Sequence, residues 1–514
     1  MSTTMTQAET APHPLHLLLP RLGTEAEFSA LRALFRRCGF DGEGICRRLE
    51  IPSILEFKAK CDGRTNAITF EEPVDPLIRL FLDGEFVSEG TLETIAGAGA
   101  TATLESLAIV TRDETRPSFV FATITLYPAD GILLLAGDRP GMPDGSKYWL
   151  PPDVVYPGIL ENTRHFLQIL PQTPCDALLD LGTGSGVAAL AASRYARLVW
   201  GSDVAARSVR FSEFNRRLND ISNAAMVEGD LYQAVAGLTF DRIVSHPPYV
   251  PAPRTELIFR DGGDDGEQIL RRIVEGLPLH LRTDGRFYTL VLGADLEDET
   301  FEARIRRWLG PNDAEFDLVM VSHSLRTPAE FVANSLKSGK VRLRDLKFWT
   351  DTWARRKTQF LFYGSVLIRR HASARQPVTA RVQRGAGFQP SHQDWLLDWE
   401  TECRQPGATE FLLNSHPSMA PAAELHVLHR LSEGRFVPEM FGIEIKEPFV
   451  TDLRCSQWMV ALIAACDGEK TWGELLDRGR ENGIFHTEIP NDELAEVLRA
   501  LVAQGILRIR ERPL

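Results

Sequence analysis

The sequence predicts an α/β protein. A mostly parallel sheet of about seven strands, with helices on both faces, fills the middle third. A helical/β domain precedes it and a winged-helix-like module comes after it. Three observations carry this reading. From Asp176 onward short apolar runs alternate with helix-length segments. A glycine-rich turn, Asp180-Leu181-Gly182-Thr183-Gly184-Ser185-Gly186, joins the first of these strands to the first of these helices. Acids close three successive strands, at Asp180, Asp203 and Asp230.

At the N-terminus, MSTTMTQAETAPHP has no basic region leading into an apolar one, so it reads as a short disordered tail and not as a secretory signal. Between about Thr24 and Leu49, Phe28, Leu31, Leu34 and Phe35 fall on one helical stripe. A second helical block runs through PLIRLFLDGEFVSEGTLETIAG. SFVFATITLYPADGILLLAG reads as two strands turning at Pro128-Ala129-Asp130-Gly131. Residues 1–150 are therefore expected to form a helical/β domain with a substrate-recognition or accessory role. Residues 151–372 hold the α/β domain, with strands at DALLDL, RLVWGSD, AAMVEGD, FDRIVSH, GRFYTLVL, FDLVMVSH and QFLFYGSVLIRR. Residues 373–449, rich in Gln, Arg, Pro and Gly at their start, read as a linker or irregular connection. Residues 450–514 read as a winged-helix-like module: three helices and the strand ILRIRER. Trp458 and Trp472 are expected in its core.

Composition limits the function classes. With 44% hydrophobic and 25% charged residues the chain is an ordinary globular one. No apolar run approaches the roughly 20 residues of a membrane span, and none of the seven cysteines form a C-x-x-C pair. No metal site is expected, and a cytoplasmic location is. The net charge of −13 argues against broad nucleic-acid binding. Charge is uneven, however: Ser335–Arg384 holds 13 Lys/Arg against 2 Asp/Glu, with Phe348, Trp349, Trp353, Phe360 and Tyr363 interleaved. Such a stretch suits a polyanion, or is simply a solvated basic face beside a buried strand.

The chemistry rests on the glycine turn and on the strand ends downstream of it. Glycines let the backbone turn sharply and approach a ligand, which in such sheets lies beyond the carboxyl ends of the strands. At the end of the second strand Asp203 is placed to accept hydrogen bonds from ribose hydroxyls, and Asp230 at the end of the third is placed to meet an adenine amino group. Taken singly, each acid reads equally well as a helix cap; together they form a nucleoside-binding edge. The fourth strand ends in Ser245-His246-Pro247-Pro248-Tyr249. Its prolines stiffen the exit, Tyr249 offers a stacking face, and His246 a hydrogen-bond acceptor or base. Asp153, Tyr156 and Asn162, upstream, and Asp261-Gly262-Gly263, downstream, are further candidates; the plain alternatives are a linker and a turn.

On these residues the chain resembles the class I S-adenosylmethionine-dependent methyltransferases. DLGTGSG, Asp203, Asp230 and HPPY are similar to the branch with an Asn-Pro-Pro-Tyr motif. That branch includes HemK/PrmC-like glutamine N5 methyltransferases of release factors, guanine N2 methyltransferases of ribosomal RNA, and adenine N6 DNA methyltransferases. The likeness covers about residues 150–370, and LIRLFLDGEFV, FRDGGDDGEQILRRIV and LFYGSVLIRR resemble a PrmC-like subgroup with an added N-terminal domain. The resemblance implies a Rossmann-like seven-stranded methyltransferase sheet and S-adenosyl-L-methionine as cofactor. It implies that Asp180, Gly182, Thr183, Gly184 and Gly186 form the loop around the methionine part. Asp203 would hold the ribose, and Asp230 and Leu231 would flank the adenine. Tyr249 would stack on the substrate, and the Pro247 carbonyl would accept one of its hydrogens.

One position departs from the family: its Asn is His246 here. The implied reaction is methylation of a nitrogen in a protein, peptide or other planar substrate, with a hydroxyl or other nucleophile also open. Other readings are an RNA methyltransferase of the guanine N2 type, a nicotinamide-dependent oxidoreductase, and a non-catalytic cofactor-binding module. The oligomeric state is left open.

Overall fold

Thr24 opens the first helix, α1 (Glu25–Cys38), with a capping box. Its side chain accepts from Glu27 N, and the Glu27 carboxylate takes the Thr24 amide in return. The stripe of Phe28, Leu31, Leu34 and Phe35 is buried, as its spacing demands. The structure, a computed structural model, describes residues 18–57, 69–129, 133–144, 150–156, 161–338, 343–372, 375–484 and 489–512. No described helix is long and apolar enough to cross a membrane. Contacts divide the chain into two units, one of residues 1–167 with 172–282 and one of 168–171 with 283–514. The expected boundaries at 150 and 372 are not where this division falls.

The first unit continues with α2 (Gly42–Leu49), α3 (Asp75–Phe81), β1 (Val87–Ser88), α4 (Glu89–Ile95), α5 (Ala100–Ser106), β2 (Val110–Arg112) and β3 (Phe119–Ala122). The three strands form a small antiparallel sheet in the order β1-β3-β2. β4 (Ile124–Ala129) and β5 (Leu133–Asp138) pair as the expected hairpin; Asp130 and Gly131 of its turn lie outside the described residues. Then come α6 (Glu161–Gln168), β6 (Cys175–Leu181), α7 (Val187–Ala192), β7 (Ala196–Asp203), α8 (Ala206–Leu218), β8 (Ala224–Glu228), β9 (Phe240–Ser245) and α9 (Gln268–His280). β6 to β9 are parallel, in the order β9-β6-β7-β8. In β6, Leu178, Leu179 and Leu181 are all fully buried, the continuous apolar run of a strand covered on both faces.

Helix α8 explains why no boundary falls near residue 150. Phe211, Phe214 and Leu218 belong to the same core as Phe28, Leu77 and Phe81 of the N-terminal helices. Asn215 and Asn219 hydrogen-bond the backbone of β5. Ala136 N donates to Asn215 Oδ1 at 2.7 Å and Leu134 N to Asn219 Oδ1 at 2.9 Å. Two helix carboxamides thus complete a strand edge that would otherwise be left unpaired. The Arg207 guanidinium pairs with Asp138 at the end of β5, with both side chains buried.

The second unit holds β10 (Leu281–Leu296), α10 (Phe301–Leu309), β11 (Phe316–Arg326), α11 (Pro328–Ser338), α12 (Leu343–Arg355), β12 (Thr358–Arg370) and β13 (Thr379–Arg384). All seven expected strands therefore form, β6 to β9 in the first unit and β10 to β12 in the second. β12 lies antiparallel between β10 and β11, and β11 pairs in parallel with β13, so this sheet is mixed.

Residues 373–449 correct the expectation of an irregular linker. They carry β13, α13 (Pro390–Glu402), α14 (Ala408–Asn414), β14 (Pro417–Met419), β15 (Glu424–Ser432) and most of β16 (Arg435–Ile445). Turn-forming composition at the start of this stretch hid the rest of it. Pro390 reads as a breaker but sits in the first turn of α13, where its missing N–H costs nothing. The sheet then extends through β17 (Phe449–Cys455), in the order β15-β16-β17-β13-β11-β12-β10.

At the end of the chain α15 (Gln457–Ala464), α16 (Trp472–Glu481), α17 (Asn491–Ala503) and β18 (Leu507–Ile509) form as expected. β18 pairs with β14, so the module draws a strand from before residue 450. Trp472 is fully buried and its Nε1 donates to Leu494 O at 2.9 Å; Trp458 is only half-buried.

Candidate active site

The glycine turn leaves the end of β6 with Gly182 at φ 73° and Gly184 at φ 56°. A side chain at either would be strained by the backbone alone. A Cβ built on either meets no atom within 4 Å, so the loop faces open space on that side. The loop is anchored from beneath: Gly182 N and Thr183 N both donate to Ser202 O, at 2.8 and 3.0 Å. Asp180 Oδ2 accepts from Thr183 Oγ1 at 2.7 Å and from Ala189 N at 3.2 Å. Asp180 is only 2% exposed. Burial pushes its carboxyl up to about 6, against the downward pull of those two donors. Asp180 thus works as the brace under the loop, tying strand, turn and helix together.

Asp203 ends β7 beside it. Its Oδ2 accepts from Gly184 N at 2.9 Å and its Oδ1 from Ala205 N at 2.9 Å. Burial raises this carboxyl too, and the Ala205 and Gly184 amides oppose the rise. The Ser208 hydroxyl and the Val204 amide also hydrogen-bond this carboxylate, so its roughly four acceptor positions are taken and a diol would replace one of these donors. Gly229 N donates to Asp203 O at 2.9 Å, which sets Asp230 next in the row. The Asp230 carboxylate is paired with Arg272 of α9 at 2.7 Å, a partner the sequence did not announce. Leu231 has φ 53°, rare for a leucine, and its carbonyl accepts from Ser202 Oγ at 3.3 Å.

The fourth strand delivers His246 to this edge. Its ring stacks on Phe166 of α6, with centroids 5.2 Å apart and planes 22° apart. Tyr249 lies 5.8 Å from it. The residue as a whole is partly exposed, but its Nε2 is buried and has no hydrogen-bond partner among the described residues. Burial lowers the imidazole to about 4, so it is neutral at physiological pH. Asn162, four residues before Phe166 on one helix face, donates to Tyr249 Oη at 3.1 Å. That spacing was the available signal for Phe166, which the sequence reading missed.

The other candidates have supporting places. Asp261 is buried, and its Oδ2 accepts from Glu256 N and Leu257 N at 2.8 and 2.9 Å, so it fixes a turn. A Cβ on Gly262 would stand 2.6 Å from Pro248 O, so this glycine lets the turn pack against the HPPY segment. Tyr156 packs against Phe259 with centroids 4.7 Å apart, and Asp153 is half-buried nearby in sequence.

The basic stretch is largely consumed within the second unit. Arg369 and Arg375 bind the fully buried Asp317, Arg370 binds Glu315, and Arg381 binds Asp295 and Glu302. Trp349 and Trp353 are buried against Phe331 and not free to stack on bases.

The open glycine loop thus lies beside Asp203, with Asp180 braced beneath it and Asp230 paired with Arg272 further along the same edge. Glycine backbone that a ligand can approach and a carboxylate at the next strand end suit hydroxyl donors and a cationic centre. A sulfonium nucleoside meets all of these demands, and the class so defined is that of the class I S-adenosylmethionine-dependent methyltransferases. Comparison with known proteins agrees: residues 158–306 match the family model of the methyltransferase small domain.

The chain is 32% identical over 164 residues to a protein of Methanocaldococcus jannaschii provisionally named a protein N5-glutamine methyltransferase, covering 30% of this chain and 81% of that one. It is 35% identical over 118 residues to the release factor glutamine methyltransferase of Xylella fastidiosa, covering 21% and 43%. It is 32% identical over 171 residues to the ribosomal protein uL3 glutamine methyltransferase of Bradyrhizobium diazoefficiens, covering 29% and 51%. The chain thus spans about half the length of the last two. It belongs to the HemK-type family of class I methyltransferases, whose cofactor is S-adenosylmethionine.

Proposed function

We propose that this enzyme methylates a planar side-chain nitrogen of a protein, as the names of its glutamine-methylating relatives suggest. The observation that carries the proposal is the neutral imidazole of His246, stacked on Phe166 and 5.8 Å from the Tyr249 ring, at the end of the fourth strand. S-adenosylmethionine supplies a methyl group on a positively charged sulfur. The Gly182–Gly186 loop and Thr183 hold its methionine part, over the Asp180 brace. Asp203 takes the ribose hydroxyls, and Asp230 and Leu231 flank the adenine.

The ledge of the fourth strand does the orienting. An amide –NH2 has two hydrogens. One goes to the Pro247 carbonyl and the other to the neutral imidazole of His246, which stands where the family has a carboxamide and accepts once its ring turns from Phe166 toward the substrate. Tyr249 stacks on the amide plane, and Asn162 fixes Tyr249. Held in this way, the nitrogen presents its lone pair along the transfer line, the positioning on which such a displacement depends. The nitrogen would gain the methyl group as the carbon–sulfur bond breaks, the bonding pair staying on sulfur as a neutral thioether, and would shed one proton to solvent. We assign residues 1–150 an accessory role in substrate recognition. We read residues 450–514, with β14, as a winged-helix-like recognition module.

The test is transfer of label from radiolabelled S-adenosylmethionine into cell extract split into protein, RNA and small-molecule fractions. Label should enter protein, on glutamine, and be lost with Asp203→Ala. Label in RNA alone would favour the guanine N2 reading, against which stand the internally paired arginines at 369–381. Cofactor binding without label in any fraction would favour a non-catalytic module.

A further inference from the structure

Every residue from Glu424 to Glu439 is exposed, which takes in all of β15 and the outer end of β16. The two strands form a hairpin that reaches out from the second unit's sheet. At its base Ile443 and Ile445 are buried, but towards the tip Leu425 is 51% exposed, Leu431 61% and Phe436 72%. Cross-strand partners share a face, so the pairs Leu425–Ile443, Val427–Phe441 and Leu431–Phe436 make one apolar side. The other side carries Glu424, His426 and Glu444. Lys446 Nζ lies 3.2 Å from each of the two glutamates, so an ammonium already fills the place a cation would take.

β15 is the edge strand of its sheet. Its outward N–H and C=O groups, over nine residues, face no strand among the described residues. Exposed edges are usually blunted by proline, charge, bulges or brevity. ELHVLHRLS runs nine residues without proline or lysine; its ladder to β16 shifts register at Leu428/His429, and its charges are Glu424 and Arg430. This charge pattern is symmetric about Val427: an acid three residues before it, Glu424, and a base three residues after it, Arg430.

We infer that β15 pairs antiparallel with β15 of a second copy of this chain, about a two-fold axis through Val427. The pleat allows only pairings in which opposed residues point to the same side. This register sets Glu424 against the partner's Arg430 and, by symmetry, Arg430 against the partner's Glu424. Val427 then meets the partner's Val427, and Leu425 packs against the partner's His429. The two hairpins become one continuous four-stranded ribbon, and both edges disappear. A foreign peptide strand would satisfy the backbone equally well. Within its own hairpin Arg430 pairs with Glu439 at 2.6 Å and Glu424 with Lys446 at 3.2 Å, both at exposed positions where such pairs are weak; the antiparallel copy brings each a second opposite charge, and that symmetry favours it as the occupant.

The test uses the full chain in sedimentation velocity from roughly 1 to 100 µM, the range suited to a small interface. Wild type should pass from monomer to dimer across this range. Val427→Cys should give a disulfide-linked dimer on mild oxidation, with the link mapped at position 427. Glu424→Arg and Arg430→Glu should each weaken the dimer about tenfold or more, since each creates two like-charge pairs. The double variant should restore affinity to within a few-fold. Because these side chains are exposed, melting temperature and cofactor binding should stay at wild-type values in all variants and show that the fold is intact. A chain that remains monomeric throughout overturns the inference, as does a dimer indifferent to both reversals or a double variant as weak as the singles. A monomer that captures an added β-strand peptide along β15 would also overturn it, in favour of a foreign partner.

Discussion

His246→Gln asks whether the ledge works through a neutral imidazole. An ordinary histidine titrates near 6.5; burial against Phe166 holds this one near 4. That difference corresponds to about 3 kcal/mol at about 1.4 kcal/mol per unit. Because the folded value lies below the unfolded one, the native protein binds fewer protons than the unfolded chain between the two. The stability contributed by the neutral ring is fully present above pH 6.5 and is lost as pH falls through about 4. At pH 5 about 2 kcal/mol of it should be gone in wild type and none in the Gln variant. In turnover, the acceptor is available at full strength from pH 8 down to 5, so kcat/KM should show no His limb near 6.5. The variant, with a longer and less rigid acceptor, should transfer methyl about a hundredfold more slowly at near-normal cofactor affinity. The assay pairs initial rates of label transfer from pH 5 to 8.5 with urea midpoints at pH 7.5 and 5 for both proteins. A limb near 6.5 present in wild type and absent in His246→Gln would refute the reasoning. So would identical pH dependence of stability in the two proteins.

Asp203→Ala removes the acceptor for the ribose hydroxyls. Two charged hydrogen bonds at about 1.5–3 kcal/mol each predict at least a hundredfold loss of S-adenosylmethionine affinity by calorimetry, and unchanged affinity would remove Asp203 from the site. Asn162→Ala releases Tyr249 and loses one hydrogen bond of about 1 kcal/mol. The KM for the methyl acceptor should rise about fivefold with cofactor affinity constant, and an effect on the cofactor alone would contradict the assigned role. Asp138→Ala strands the buried Arg207 guanidinium. It should destabilise the protein by about 3–5 kcal/mol in urea, whereas a loss below about 1 kcal/mol would show that the pair is solvated.

The candidate site's edge was legible in the chain because its parts are local. The glycine turn needs positive φ at Gly182 and Gly184, and no other residue type supplies that cheaply. Asp180, Asp203 and Asp230 sit where parallel strands end, so the alternation of strands and helices already places them in a row. What stayed illegible depends on partners far along the chain. The basic run at 335–384 looked like a polyanion surface until Asp317, Glu315 and Asp295 were seen to meet its arginines. The stretch at 373–449 looked irregular because the strand pairing that orders β13 and β14 comes from elsewhere in the chain.

By itself, then, the sequence determined the α/β class, the order of the seven strands along the chain, the glycine turn after the first of them and the proline-rich exit of the fourth. All of these come from short-range backbone preference and hydrophobic period. Tertiary structure alone decided that α8 joins the core of the N-terminal helices and the β4–β5 hairpin, that Arg272 claims Asp230, and that the His246 ring is neutral against Phe166. Burial and ion pairing are sums over neighbours that only folding brings together, and no spacing along a chain records them.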